Sequence, residues 1–139
     1  MANFQGKWVS DKSVPMTNFE VLMEKLGVDK ALQQTFKEAV GTQTFSVSGN
    51  SITLVSTSSA FPGKERNKTF TCGETYDDVG IDGTPFKATT TMPNANTMVD
   101  EGTNEKYGDF KYTRAIEGNI MKCTTNMAGV TATYQMKRE

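Results

Sequence analysis

The chain has 139 residues, with 15 basic and 16 acidic side chains and a formal net charge of −1. That length holds one core of ordinary size, and the balanced charge excludes the electrostatic footprint of a protein that tracks nucleic acid. Histidine is absent and the two cysteines, Cys72 and Cys123, stand far apart, which excludes zinc fingers, dithiol redox motifs and histidine-dependent nucleophile pairs.

The first predicted element is helical. Asn18 or Thr17 can cap a helix whose apolar positions Phe19, Leu22, Met23 and Leu26 recur at helical spacing, and Gly27 can end it. Asp29 can cap a second helix with Leu32, Phe36, Ala39 and Val40 as its inner stripe, stopped by Gly41. The pair makes a poor DNA reader, because Glu20, Glu24 and Glu38 alternate with Lys25, Lys30 and Lys37 and leave no basic stripe. No nucleic-acid partner is expected.

After Gly41 the hydrophobic period changes to two. Phe45 and Val47 alternate with polar residues, Gly49-Asn50 turns the chain, and Ile52, Leu54 and Ser56 continue on the far side, which is a hairpin. Phe70 and Cys72 lead to Gly73 and Tyr76, Asp82-Gly83 offers a turn, and Phe86-Lys87-Ala88 begins another strand. Phe110, Tyr112, Arg114 and Ile116 share one parity, Glu117-Gly118-Asn119 turns, Ile120 to Thr125 is a strand, and Val130 to Met136 is the last. About eight to ten short strands in sequence predict an antiparallel meander, and closure into a barrel would remove its edges. Two short helices then fit across one end as a lid. Serine, threonine and charged residues recur among the apolar strand positions, which suits an interior filled by water or a guest, or else a solvent face in strands of the opposite parity.

Arg114 is the most informative residue. If its face is the interior, a guanidinium points inward and needs an acidic partner, ordered water or the carboxylate of a guest. Tyr134, in parity with Val130, Ala132 and Met136, can reach the same anion. An exposed arginine and an ordinary core tyrosine are the alternative reading of the same two residues.

Over essentially its whole length the chain resembles the intracellular lipid-binding proteins, the fatty-acid-binding and cellular retinoid-binding group. The residues that carry the resemblance are Phe4-x-Gly6-x-Trp8, Asn18-Phe19 with Met23 and Leu26-Gly27-Val28, Phe61, the run Cys72 to Asp78, and Thr133-Tyr134. The resemblance implies one all-β domain over residues 1–139, a ten-stranded antiparallel up-and-down barrel or β-clam, with a helix-turn-helix lid between the first two strands. It further implies a non-catalytic carrier of a long-chain fatty acid or similar hydrophobic carboxylate. The carboxylate of such ligands commonly meets two arginines and a tyrosine. Tyr134 matches the tyrosine and Arg114 the first arginine, whereas Ala132 stands where the second is expected. The turn at Gly118 is one residue shorter than usual, and a slip there would present Thr113 instead of Arg114. The segments Val9 to Asn18 and Phe61 to Cys72 are slightly longer than in most relatives.

On the same resemblance, Phe19, Met23, Leu32, Phe36 and Phe61 line the portal and the ligand tail, and Trp8 plugs the far end. No cofactor or metal is implied, and the expected partner is a small hydrophobic ligand bound by a monomer with transient membrane contact. A retinoid carrier, or a protein-binding scaffold, remains the alternative. Asp77-Asp78 and Asp100-Glu101 are adjacent carboxylates that point to opposite faces of a strand, so no acid and base pair is set across a cleft. No apolar run of secretory or membrane-spanning length occurs, and unpaired cysteines suit a reducing compartment, so the cytoplasm is the expected location. Asn67-Lys68-Thr69 matches a glycosylation acceptor, a pattern that matters only in a secreted chain.

Overall fold

The computed structural model describes residues 2–139. A single 3-10 turn, Ala2–Phe4, leads into β1 (Gly6–Ser10). Helices α1 (Phe19–Lys25) and α2 (Lys30–Glu38) follow. Nine further strands complete the chain: β2 (Gly41–Ser48), β3 (Ser51–Ser58), β4 (Arg66–Thr71), β5 (Thr75–Val79), β6 (Pro85–Asn94), β7 (Thr97–Asn104), β8 (Gly108–Glu117), β9 (Ile120–Met127) and β10 (Val130–Arg138). All pairs are antiparallel, in the order β4-β3-β2-β1-β10-β9-β8-β7-β6-β5. The meander expected from the sequence is therefore present, with the helix pair inserted between β1 and β2.

The sheet curls on itself but does not close completely. β4 and β5 are the two ends of the hydrogen-bonded order, so the edges are not abolished as barrel closure would require. Side chains span the gap instead. Arg66 Nε donates to Asp78 Oδ2 at 2.7 Å with both side chains nearly buried, and the guanidinium lies 5.1 Å from the centre of the Phe86 ring. Phe70 of β4 stacks on Tyr76 of β5 at 4.8 Å.

Turn chemistry explains the hairpins. The two-residue loop Ala128-Gly129 joins β9 to β10 with φ of 54° and 76°, so alanine occupies a left-handed position that glycine or asparagine holds at less cost. Strands β9 and β10 run somewhat longer than the apolar pattern indicates, β9 to Met127 because Asn126 pairs with Thr131, and β10 to Arg138 because Lys137 and Arg138 pair with Val9 and Trp8 of β1.

The core fills the end opposite the helices. Phe4, Trp8, Phe45, Ile52, Leu54, Met98 and Met121 are essentially removed from solvent there. Trp8 is a plug: its Nε1 donates to the Phe4 carbonyl at 3.1 Å, and the Arg138 guanidinium covers its ring at 4.1 Å. Arg138 also donates to the carbonyls of Gln5 and Asn3, both at 2.8 Å, sealing the junction of β1 with β10.

A smaller cluster docks the lid. Leu22 of α1 packs with Val130 and Ala132 of β10, with Met23, Leu26 and Met127 around them. Residues 11–18 run back along β10, where Thr17 and Thr133 exchange backbone hydrogen bonds of 2.9 and 3.1 Å. Asn18 precedes α1 in a left-handed conformation (φ 56°) and does not cap it with its side chain, which instead donates to the Thr131 carbonyl at 2.9 Å. Asp29 does cap α2, accepting from the Leu32 amide at 3.4 Å.

The expected stripe of α2 holds at Phe36 and Ala39, which line the cavity, but fails at Leu32, and Val40 lies beyond the helix end. Leu32 and Val40 are both 43 % exposed, whereas Gln33 is 6 % exposed. Gln33 Nε2 donates to the Val28 carbonyl at 2.7 Å and to Glu24 at 3.2 Å, so a polar side chain closes the inter-helix turn and carries Leu32 outward.

Candidate functional site

Under the lid lies a cavity of about 440 Å³, within the size range of small-molecule sites. Phe19 and Met23 reach it from α1, Leu26 from the C-terminal cap of that helix, Phe36 from α2, and Gln43, Tyr134 and Met136 from the strands. A second recess of about 580 Å³ lies between the 11–18 segment and α1. The two share Ser10, Met16, Phe19 and Tyr134, so the recess forms an approach to Tyr134 from outside.

Below the cavity the strand parity turns polar side chains inward and joins them. Arg114, on β8, is 3 % exposed, while Thr113 faces the other way beside Thr124 and Val99. The one-residue slip does not occur. Arg114 Nη1 donates to Asp100 Oδ2 at 2.9 Å, and its Nε donates to Gln43 Oε1 at 2.8 Å. Asp100 Oδ1 accepts from Thr90 Oγ1 at 2.6 Å, and the Tyr76 hydroxyl lies 3.1 Å from the same Thr90 oxygen. On the cavity side Gln43 Nε2 donates to the hydroxyls of Tyr112 and Tyr134 at 3.3 and 3.4 Å, and those two hydroxyls bond each other. Among the described residues every fully buried side-chain nitrogen or oxygen has a partner.

The electrostatics follow from burial and from Asp100. Burial works against the charge on Arg114, yet the Asp100 carboxylate and, less strongly, Tyr112, Cys123 and Tyr134 carry its pKa above the ordinary guanidinium value. The Arg114 guanidinium also rests over the Tyr112 ring, 4.4 Å from its centre. Burial raises the phenols of Tyr112 and Tyr134 above the usual tyrosine value, and it raises the Cys123 thiol beside them. Burial thus keeps Tyr112, Tyr134 and Cys123 neutral at ordinary pH, so the site offers hydrogen bonds and one internal ion pair, Arg114 with Asp100. It has no nucleophile poised for reaction. Among the described residues no cluster of histidine, cysteine or acidic side chains could hold a metal, and no helix is long and apolar enough to cross a membrane.

Of the residues expected to act together, Arg114 and Tyr134 do meet, through Gln43 and Tyr112. Phe19, Met23 and Phe36 line the cavity. Phe61 meets Phe36 in a tilted ring contact, centres 5.7 Å apart, and braces it from outside the cavity. Leu32 does not line the cavity, for Gln33 takes the inner position beside it and Leu32 turns to solvent. Gln43, Thr90 and Asp100 are the partners that the sequence did not single out for this role. Gln43 shares the parity of Phe45 and Val47, and Asp100 that of Met98, so strand alternation does place them inside.

No family model matches the chain. It is 31 % identical over 138 residues to the 14 kDa fatty acid-binding protein of Schistosoma mansoni, covering 99 % of this chain and 98 % of that one. It is likewise 31 % identical over 132 residues to fatty acid-binding protein 12 of Mus musculus, covering 94 % and 95 %. Among solved structures, the Schistosoma mansoni fatty acid binding protein in complex with arachidonic acid superposes with a TM-score of 0.85 at 29 % identity, over 100 % of this chain and 98 % of that one. Fatty-acid-binding protein 1 of Echinococcus granulosus, at 23 % identity and a TM-score of 0.81 over 99 % and 98 %, has the same fold.

Proposed function

The chain belongs to the fatty-acid-binding protein family of hydrophobic-ligand carriers, and on that footing we propose that it binds and carries one long-chain fatty acid or similarly hydrophobic carboxylate. The protein is a non-catalytic binder. What supports the finer assignment is the cavity of about 440 Å³, apolar where the lid covers it and polar where Gln43 and Tyr134 end it. That gradient suits an amphipathic guest, with each buried methylene contributing about 0.8 kcal/mol. The head points toward Tyr134 with Arg114 behind it, and Phe19, Met23 and Phe36 receive the tail. The Schistosoma relative holds arachidonic acid, a ligand of this chemical class.

We place the carrier in the cytoplasm as a monomer, consistent with two free thiols. Contact with membranes is brief and apolar rather than electrostatic. Lys30 and Lys37 are already paired with Glu24 and Glu20, while Val14 and Val21 stand exposed beside the entrance. Native mass spectrometry of the purified protein, followed by organic extraction, tests the assignment. One fatty acid per chain is expected. A protein that arrives empty and takes up no added long-chain fatty acid refutes it, and uptake of a retinoid alone transfers it to that ligand class.

A further inference from the structure

The polar end of the cavity carries no net charge. Arg114 is its one buried cation among the described residues, and Asp100, itself buried, stands 2.9 Å from that guanidinium. Asp100 is not a chance neighbour. Its second oxygen is held by Thr90, which is fully buried and in reach of the Tyr76 hydroxyl, so the carboxylate is anchored from the β5–β6 side. Arg114 is anchored in turn by Gln43, and Ala132, the inward residue before Tyr134 on β10, adds no charge. What the cavity presents to a guest is the amide of Gln43 and the hydroxyl of Tyr134, whereas Arg114 lies behind them.

An incoming carboxylate must share one guanidinium with an anion already bonded to it. Two anions within a few ångströms in a weakly screened interior repel strongly, which removes most of the advantage that a cation gives an acid. An alcohol or primary amide meets no such opposition. It both donates and accepts: the Tyr134 hydroxyl can donate to it, and Gln43 Oε1, which already accepts from Arg114, keeps a second lone pair to accept from it. We propose that Asp100 is a specificity-determining residue: by neutralising Arg114 it admits acyl chains with uncharged hydroxyl or amide heads on nearly equal terms with fatty acids. This rests on the assignment of the cavity to one acyl chain.

Competitive displacement of a fluorescent fatty acid by oleic acid, oleyl alcohol and oleamide, on the wild type and on Asp100→Asn, separates the possibilities. In the wild type the three dissociation constants should lie within about tenfold of one another. Asp100→Asn should tighten oleic acid by about tenfold or more and move the alcohol and amide by less than about threefold. A wild type that favours the acid by about a hundredfold or more overturns the proposal, as does a substitution that shifts all three ligands alike. Should Asp100→Asn fail to fold with Arg114 left unpaired, the wild-type ratios decide alone. Binding of none of the three overturns the carrier assignment itself, a result distinct from binding with strong acid preference.

Discussion

Separating the two edge strands should weaken the protein by an amount that the gap geometry fixes. The Arg66–Asp78 pair joins β4 to β5 at 2.7 Å, with the side chains 13 % and 11 % exposed, where no backbone hydrogen bonds join the strands. At that separation the gross Coulomb attraction is about 6 kcal/mol for an effective dielectric constant of about 20, and desolvation offsets most of it. A net coupling of about 1–3 kcal/mol remains, and the guanidinium over Phe86 adds roughly 0.5–1 kcal/mol. Arg66→Met should therefore cost about 2–3 kcal/mol and lower Tm by roughly 6–10 °C for a chain of this size. Urea denaturation of the wild type, Arg66→Met, Asp78→Ala and the double variant gives the coupling directly. Hydrogen exchange should quicken in Arg66→Met at the amides of β4 and β5 that bond to β3 and β6, and stay slow in β9 and β10. A coupling below about 0.5 kcal/mol, or faster exchange spread evenly over the sheet, would show that the pair does not hold the gap.

Other perturbations have equally definite outcomes. Tyr112 and Tyr134 have raised folded-state pKa values, so the folded protein retains protons that the unfolded chain loses above the ordinary value of 10.0; stability should fall as pH rises past that point. The check is tyrosinate absorbance at about pH 11, where Tyr134→Phe should match the wild type while folded and differ from it in denaturant. Ala128→Asn relieves a left-handed alanine in the β9–β10 turn and should stabilise by about 0.5–1 kcal/mol in chemical denaturation. Gly102→Ala should destabilise by about 2 kcal/mol or more, because a Cβ there would run into the Lys87 backbone carbonyl across the β6–β7 ladder; an unchanged denaturation midpoint contradicts this.

The lid and most of the sheet were legible in the sequence because each carries its own local period and its own turn. Asp29 before Leu32, Gly27 after Leu26, and Gly49-Asn50 between two alternating runs all act over a few residues. Asp100 and Glu101 read as strand residues, but the bounds of β7 do not follow from the sequence, for Asp100, Glu101 and Gly102 interrupt its apolar pattern and an irregular register after Thr91 obscures the turn before it. Without those bounds its register against β8 stays open, and so does the identity of the partner of Arg114. That arginine's need for an anion could be argued from burial alone, but whether the anion came from the chain or from a guest depends on contacts between β7 and β8 that parity does not supply. Leu32 failed as a cavity residue for a related reason, since Gln33 satisfies a backbone carbonyl inside and a hydrophobicity pattern assigns no weight to that bond.

The seam sealed by Arg138 and Trp8 governs how the molecule assembles. Every other adjacent pair in the sheet is formed by strands consecutive in sequence, whereas β1 against β10 brings residue 8 to residue 138. Closing so long a loop costs on the order of 4 kcal/mol in chain entropy before any contact at the seam offsets it. The hairpins, being local, should form early and independently, and the seam should form after the main barrier. Trp8→Phe and Arg138→Lys should therefore hasten unfolding far more than they slow folding, which makes the stacked arginine a determinant of how long the folded carrier persists.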